Sequence, residues 1–272
     1  MRRCGLGILL LGCAAPVFAQ NAPLSASGLS RWKLSLPVDA NGDGKADEVA
    51  NLRGYANPPW FHATPEGLIF RAHAGGARTS GSTAYARSEL REMTAAGRPA
   101  AWDCLQDTRS LSLEQTLLAT TTAKPEVTLG QIHDARSDNL MLKYSGPADA
   151  NGRTDSGRIE LLWNDAAQRE VLDAAYTLGQ PMRVTIAADH GTVRVAYRNL
   201  VSGAEKQLAA HLAPAGIAGA CYFKAGVYIQ ACSKLGSDGL PNVVCAKKGW
   251  AEARYDAPEA YAEVLIRQID LN

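Results

Sequence analysis

The chain has 272 residues, of which 28 are basic and 27 acidic, giving a formal net charge of +1 at pH 7. Because it has no basic stripe, zinc motif or basic helix, the composition excludes a typical nucleic-acid-binding protein. After the first residues no hydrophobic segment approaches the length of a membrane span, and no linker or repeat divides the chain, so we expect one large domain without a membrane span.

The first 19 residues have the pattern of a secretory signal peptide. Arg2 and Arg3 precede an apolar run over residues 5–11, and Ala19 completes a small-x-Ala cleavage motif. The L-L-G-C sequence ending at Cys13 also resembles a lipobox, which would leave a lipoprotein. We favour cleavage after Ala19, because lipoboxes more often carry a smaller residue at the Leu11 position. The prediction is a secreted or periplasmic protein whose residues 20–272 form a single domain.

Residues 39–48 are rich in Asp, Asn and Gly. Oxygen-bearing side chains occupy positions 1, 3, 5 and 9 of a calcium-loop pattern, namely Asp39, Asn41, Asp43 and Asp47. Position 12 is Ala50, so the bidentate glutamate of that pattern is missing. We therefore expect a surface turn stabilised by Asx hydrogen bonds, with a structural calcium site as the alternative.

Short β-type segments separated by turn signals follow along the chain. They cover residues 67–71, 127–133, 158–163, 182–188, 192–198, 222–230 and 264–270. Turn signals lie at residues 149–152 and 189–191. Long amphipathic helical patterns are missing from the sequence. The expected fold is all-β, a sandwich of two packed antiparallel sheets.

Three segments alternate polar and apolar side chains with a period of two. In residues 222–230 the apolar face holds Phe223, Ala225, Val227 and Ile229, and the polar face holds Tyr222, Lys224, Tyr228 and Gln230. Around residue 88 one face carries Tyr85, Arg87, Glu89 and Arg91. The third segment places Gln131 and His133 on one face. Cations, amides, an imidazole and phenols on strand faces suit an anionic ligand, and Glu89 can hold both neighbouring arginines in position.

Four cysteines follow the expected cleavage site: Cys104, Cys221, Cys232 and Cys245. An even count in an exported protein indicates two disulfides, for which three pairings are open. Cys232 and Cys245 flank a Gly- and Pro-containing excursion over residues 234–244. We prefer a local bridge there, which leaves Cys104 with Cys221.

Together the three polar segments resemble the signature motifs of the alginate lyases of polysaccharide lyase family 7. The family patterns R-(S/T)-E-(L/V)-R, Q-(I/V)-H and Y-F-K-A-G-x-Y-x-Q occur here in the same order, at residues 87–91, 131–133 and 222–230. The W-K-L-S-L-P segment at 32–37 and the closing strand near 264–271 also resemble the family's ends. The resemblance implies a β-jelly roll with a concave substrate groove, and a single alginate lyase catalytic domain over residues 20–272. Ile229 stands where many relatives have Asn, and we expect its side chain in the core.

The resemblance implies β-elimination, in which the C5 proton of a uronate is removed and the 4-linked sugar expelled. Arg87 and Gln131 would neutralise the uronate carboxylate, His133 would act as base and Tyr228 as acid. We expect neighbouring cations to lower the pKa of Tyr228 and of Glu89. Substrate binding falls to four further residues, Glu89, Arg91, Lys224 and Gln230. The other histidines are expected to be structural: His62, His73, His190 and His211.

The expected partner is the anionic polysaccharide alginate, bound by a monomer. No cofactor is required in this scheme, because Arg87 and Gln131 supply the positive and polar groups that neutralise the uronate carboxylate. In the family, Q-I-H rather than Q-V-H goes with acceptance of guluronate-containing blocks, so the resemblance implies such a substrate through Ile132. The alternatives are a lyase on another polyuronate such as glucuronan, a non-catalytic polysaccharide-binding module, and a glycoside hydrolase using two of three carboxylates, Glu89, Glu92 and Glu160.

Overall fold

The structure is a computed structural model that describes residues 28–81, 83–147 and 155–272. The predicted signal peptide, the lipobox at Cys13 and the predicted turn at 149–152 lie outside the described residues. Within the described ranges, no helix has both the length and the apolar character needed to cross a membrane.

The described residues form fifteen β-strands, and their helical elements are short. The strands are β1 (Trp32–Ser35), β2 (Glu48–Val49), β3 (Phe61–Thr64), β4 (Gly67–His73), β5 (Arg87–Glu92), β6 (Thr108–Ala119), β7 (Glu126–His133), β8 (Asp138–Ser145), β9 (Ser156–Trp163), β10 (Gln168–Thr177), β11 (Pro181–Asp189), β12 (Thr192–Asn199), β13 (Glu205–His211), β14 (Tyr222–Ile229) and β15 (Tyr261–Leu271). Helix α1 covers Val243–Ala246, and 3₁₀ turns cover Pro214–Gly216 and Glu252–Arg254.

The strands form two antiparallel sheets, which confirms the all-β prediction. The eight-stranded sheet has the order β10-β9-β8-β7-β14-β5-β1-β2, and the seven-stranded sheet has the order β13-β12-β11-β6-β15-β4-β3. The seven segments predicted from periodicity lie in β4, β7, β9, β11, β12, β14 and β15. Six strands outside the predicted segments and motifs complete the sheets: β2, β3, β6, β8, β10 and β13.

The core lies between the two sheets and is filled by alternate residues of each strand. Phe223, Ala225, Val227 and Ile229 of β14 are all fully buried, as their alternation predicted. Leu111 and Leu113 of β6 belong to the same core cluster from the opposite sheet. Burying each large apolar side chain stabilises the fold by about 2 kcal/mol. Because the apolar side chains of β14 are buried between the sheets, its polar side chains point away from the core.

The turn predicted at 189–191 is a tight hairpin between β11 and β12. Asp189 pairs with Thr192, so the loop contains only His190 and Gly191. Both have positive φ, at 47° and 76°. This conformation is typical of the two-residue type I′ turn, whose twist matches that of the flanking strands.

The disulfide pairing preferred from the sequence is confirmed. Cys104 is bonded to Cys221 and Cys232 to Cys245, with Cα–Cα distances of 5.5 and 5.6 Å. The first bridge spans 117 residues and links the segment before β6 to the start of β14. In the chain-entropy view, a loop of this length gives a stabilisation of about 4 to 5 kcal/mol.

The Asp- and Gly-rich loop at 39–48 is organised by its own hydrogen bonds. Asp39 accepts from the backbone N–H of Asp43 at 3.0 Å and of Gly44 at 2.8 Å, and Asn41 accepts from Asp43 at 2.9 Å. Asp47 accepts from another backbone N–H of the loop at 3.2 Å. This is the expected Asx arrangement. The described residues contain no group of three or more His, Cys, Asp or Glu side chains placed to hold a metal ion, and the calcium alternative stays a prediction.

Candidate active site

The polar segments predicted from sequence meet on one face of the eight-stranded sheet. Strand β14 lies between β7 and β5, so Lys224 is paired with Gln131 on one side and with Arg91 on the other. Further along β14, Tyr228 is paired with Arg87. Residues in register on neighbouring strands point to the same side of a sheet. We call this outward side the polar face.

Glu89 is the centre of the polar face. It is 2% exposed, and its Oε2 lies 2.8 Å from both Arg87 Nη1 and Lys224 Nζ. Gln131 Nε2 donates to its other oxygen. Burial alone would raise the pKa of Glu89, but Lys224 and Arg87 outweigh this and hold the pKa below its ordinary value. The expected depression is confirmed, and Glu89 is an ionised anchor for three donors rather than a base.

Arg91 is not held by Glu89, so the prediction that Glu89 orients both arginines is wrong for this residue. The Arg91 guanidinium lies 3.9 Å above the Tyr222 ring and donates to the backbone carbonyls of Glu92 and Ala100 at 3.2 and 3.4 Å. Lys224, which lies diagonal to Glu89 on the neighbouring strand, is the second cation that Glu89 holds. Arg91 lies at the rim of the cluster, near His133 and Tyr222.

Tyr228 borders the cluster on the side of Arg87. The guanidinium carbon of Arg87 lies 3.8 Å from the centre of the Tyr228 ring. Burial is the largest influence on the pKa of Tyr228 and raises it, Asp138 and Glu89 raise it further, and Arg87 only partly opposes them. The expectation that neighbouring cations lower this pKa is therefore wrong in its net direction. The phenol keeps its proton at neutral pH and can donate it.

His133 borders the cluster on the other side. Its Nδ1 lies within hydrogen-bond distance of the Asp134 backbone carbonyl and 3.2 Å from the Tyr222 hydroxyl, and its ring stacks on Tyr222. A carbonyl can only accept, so Nδ1 carries the proton in the neutral ring and Nε2 carries the lone pair. Burial and the charge of Lys224 lower the pKa of His133. The ring is thus a neutral base with Nε2 as its acceptor.

Asp138 is a site residue that the sequence motifs did not identify. It is paired with His133 across the β7–β8 hairpin, and its Oδ1 lies 3.4 Å from His133 Nε2. Burial raises its pKa, and its charge acts on Arg87, Lys224 and His133. The apolar alternation of Leu140, Leu142 and Tyr144 was a signal for β8, but alternation alone does not pair Asp138 with His133.

Gln230 and a group of aromatic and basic side chains continue the polar face beyond Tyr228. Lys124 Nζ donates to the Gln230 carbonyl at 2.7 Å. Tyr85 stacks on Trp250 with ring centres 6.3 Å apart and meets Tyr228 edge-on at 6.0 Å. Trp250 therefore lies next to the site. Lys124 carried no motif and was not predicted.

The remaining histidines lie on other elements. His62 is in β3, His73 in β4 and His211 in β13, all in the seven-stranded sheet, and His190 is in the β11–β12 turn. His73 stacks on Trp60 at 4.4 Å, and burial lowers its pKa to about 4. A cavity of about 760 Å³ lined in part by Trp60 and His73 contains none of the predicted catalytic residues. Their location agrees with the structural role expected for them.

The geometry can be compared with known proteins. The solved structure of the alginate lyase AlgAT5 from polysaccharide lyase family 7 matches with a TM-score of 0.70 and 28% identity, covering 93% of this chain and 99% of that one. The alginate lyase from Corynebacterium sp. has the same fold, with a TM-score of 0.69, 24% identity and coverage of 93% and 99%.

A curated alginate lyase from Klebsiella pneumoniae is 45% identical over 80 residues. That match spans 28% of this chain and 26% of the relative, about a quarter of its length. A family model described as alginate lyase matches residues 27–272. These matches, with the polar face built from all three signature motifs, confirm the predicted resemblance: the chain belongs to the alginate lyase family.

Proposed function

We propose that the protein is an alginate lyase that cleaves the 1,4-glycosidic bond by β-elimination and leaves a 4,5-unsaturated uronate at the new non-reducing end. One observation carries the proposal. A neutral imidazole, His133, and a protonated phenol, Tyr228, border opposite sides of a fixed cluster of cationic and amide donors. A binding module needs the donors but has no use for an acid and a base beside them.

The elimination begins with the uronate carboxylate. Arg87 and Gln131 each give one N–H to Glu89 and retain others, which they donate to the substrate carboxylate. As the C5–H bond breaks, negative charge develops on this carboxylate in an enolate-like species. Donors that are already in place can stabilise such charge by several kcal/mol. Glu89 supplies this preorganisation, since it holds the donors before substrate arrives.

Proton transfer follows from the two pKa directions. His133 Nε2 takes the C5 proton, the C5–H electrons form the C4–C5 double bond, and the C4–O4 bond breaks. Tyr228 gives its phenolic proton to the departing O4. The carboxylate of Asp138, 3.4 Å from Nε2, stabilises the imidazolium that forms. Water then restores the proton to Tyr228 and removes it from His133.

Guluronate-containing blocks are the proposed substrate, because the C5 proton and O4 of guluronate lie on opposite faces of the sugar ring. His133 lies on β7 and Tyr228 on β14, so the base and the acid are separate groups, as an elimination from opposite faces requires. Ile132 is fully buried in the core and influences this choice only through the backbone. Arg91, Lys224 and Gln230 hold carboxylates of neighbouring sugars in this scheme.

A hydrolase would need two carboxylates flanking one glycosidic bond. Glu92 accepts from Trp102 Nε1 at 2.9 Å and from the Phe223 N–H at 3.0 Å, so it is committed to buried partners. Glu160 lies on β9, three strands from β14. Neither is a partner for Glu89, and this favours the lyase over the hydrolase.

We further propose that residues 20–272 act as one catalytic domain, a monomer that needs no cofactor, in a secreted or periplasmic protein. Two disulfides among the described residues support an oxidising compartment. Lipid attachment at Cys13 remains the alternative.

The test is ultraviolet absorbance during incubation with polyguluronate, polymannuronate and glucuronan. Rising absorbance from the new double bond is expected, fastest with polyguluronate. Reducing ends without absorbance would indicate a hydrolase, and neither signal would indicate a binding module. Tyr228→Phe is expected to lose 10²- to 10⁴-fold in turnover while retaining polymer binding. Tyr261→Phe, on the other sheet, is the control and keeps full activity.

A further inference from the structure

A second cluster of charged residues lies on β9 and β10, away from the catalytic residues. Its centre is Glu160, which is 1% exposed. Glu160 accepts from the Ser145 hydroxyl and from Arg158 Nε at 3.2 Å, and its Oε2 lies 3.6 Å from Arg169 Nε. The cluster thus repeats the arrangement around Glu89, in which one buried carboxylate holds two cations.

The cluster faces the same side of the sheet as the catalytic residues. Ile159 and Leu161 of β9 belong to the core, so Arg158 and Glu160 point outward. The strand register continues the row from the catalytic residues: Gln131 pairs with Met141, Met141 with Leu162, and Leu162 with Arg169. At ~4.8 Å per strand, Arg169 is about 14 Å from Gln131 along this row. That distance exceeds one sugar ring.

The two arginines are positioned to bind something outside the protein. Their side chains are 47% and 51% exposed, and Glu160 engages both through Nε. Within the described ranges no residue accepts a hydrogen bond from their Nη groups. The planar guanidinium group of an arginine can bind a carboxylate through two parallel hydrogen bonds.

Stability does not account for the cluster. Ion pairs with exposed arginines contribute about 0 to 1 kcal/mol, and a buried carboxylate carries a desolvation cost that an apolar residue would avoid. Ligand binding accounts better for a buried carboxylate that orients two arginine guanidinium groups on the solvent-facing side of the sheet.

Basic side chains occupy the space between the two clusters. Lys143 of β8 and Lys124 share the carboxylate of Glu126, with Lys124 at 3.0 Å. Lys143 is paired with Glu160 on one side and with Thr128 on the other. Among the described residues named here, two arginines and two lysines stand against two carboxylates, Glu126 and Glu160. The net positive charge of this group attracts a polyanion.

We propose that Arg158 and Arg169 form a distal binding site for a uronate carboxylate, which holds an acidic polysaccharide several sugars away from the bond that is cleaved. The inference rests on the proposed lyase function and adds a determinant of substrate length. Long chains reach the distal site, whereas short oligosaccharides bound at Gln131 do not. The site acts on binding and not on the chemical step.

The test compares the double variant Arg158→Gln/Arg169→Gln with the wild type on polyguluronate and on unsaturated trimers to tetramers. Loss of two charge-assisted contacts is expected to raise KM for the polymer about tenfold or more. The polymer kcat and all constants for the oligomers are expected to stay unchanged. KM for the polymer is also expected to depend less steeply on salt in the variant, because two charges are removed from the contact.

Arg194→Gln is the matched control. Arg194 lies on β12 of the other sheet, is 64% exposed and pairs with Asp189 at 3.1 Å, so its replacement removes one ion-paired arginine in a similar setting, as each single change of the double variant does. An equal rise in KM in this control, or no change in the double variant, would overturn the proposal. A parallel loss on polymer and oligomers would do the same.

Arg169→Lys provides a second test in case the double variant is less stable. It retains the positive charge and removes only the planar guanidinium group. It is expected to raise the polymer KM several-fold with an unchanged melting temperature, and an unchanged KM would count against the site. Failure of the proposed function is a separate result: the wild type would then give no absorbance on any substrate.

Discussion

Replacement of Asp138 by Asn tests how this carboxylate affects the pKa of the base, His133. The carboxylate lies 3.4 Å from His133 Nε2 and favours the protonated imidazole, so it raises the pKa of His133 against the lowering effect of burial and Lys224. Asparagine has nearly the same shape and no charge. In Asp138→Asn, the pKa of His133 should therefore fall, and the acid limb of the kcat/KM profile should move to lower pH.

The distance between Asp138 and His133 sets how strongly the carboxylate favours the protonated imidazole. Two unit charges 3.4 Å apart attract by about 5 kcal/mol at an effective dielectric constant of 20 and by about 2.5 kcal/mol at 40. The side chains are 21% and 27% exposed, so we take the lower figure. Loss of this attraction therefore lowers the pKa of His133. Because a weaker base removes the C5 proton more slowly, kcat at its optimum should fall roughly tenfold.

The assay is the initial rate of absorbance increase on polyguluronate across pH 4 to 9. The His133–Asp138 pair titrates as a unit, so the acid limb reports the pair and not one residue. Asp270→Asn, an exposed carboxylate in β15, is the charge-matched control and should leave the profile unchanged. An acid limb that stays in place or moves to higher pH in Asp138→Asn would refute the role given to this carboxylate.

Two further predictions concern the framework of the site. In Gly226→Ala, the new Cβ would lie 2.6 Å from the Ser88 carbonyl oxygen at a φ of +132°, so we expect a loss of ~2 kcal/mol or more in denaturant unfolding. Gly203→Ala has a φ of +75° but open space, and a loss similar to that of Gly226→Ala would contradict the clash. Replacing Cys104 and Cys221 by Ser should lower the unfolding free energy by about 4 to 5 kcal/mol. The 13-residue Cys232–Cys245 bridge should give a smaller loss of about 3 kcal/mol, and the reverse order would contradict the loop-length argument.

The sequence predicted the fold class and the main site strands because alternation with a period of two is a local signal. Strand β14 is the clearest case, since its four apolar residues are all fully buried. Strand β6 was missed because Gln115, which is fully buried, interrupts the apolar alternation of Leu111, Leu113 and Leu117. Periodicity also contains no information on which strands are neighbours in the sheet.

The contacts within the site depend on which strands are neighbours in the sheet. Glu89 bonds Lys224 rather than Arg91, because β14 lies beside β5 in a register that sets Gly226, which has no side chain, opposite Glu89 and puts Lys224 on the diagonal. Likewise, the net rise in the pKa of Tyr228 comes from burial, which the sequence of a polar strand face does not reveal. Residue types predicted the chemistry, and strand neighbours determined which residue performs each part.

The order of strands in the eight-stranded sheet has a consequence for how the protein matures. Strand β14 lies between β5 and β7 in the sheet, although it follows both along the chain. It must therefore insert between two earlier segments, and pairing across such sequence distances is slow. Until that step, Glu89 has neither Lys224 nor a sheet connection to Gln131. The lyase centre is thus among the last parts of the molecule to form, and recovery of turnover during refolding would report completion of the whole fold.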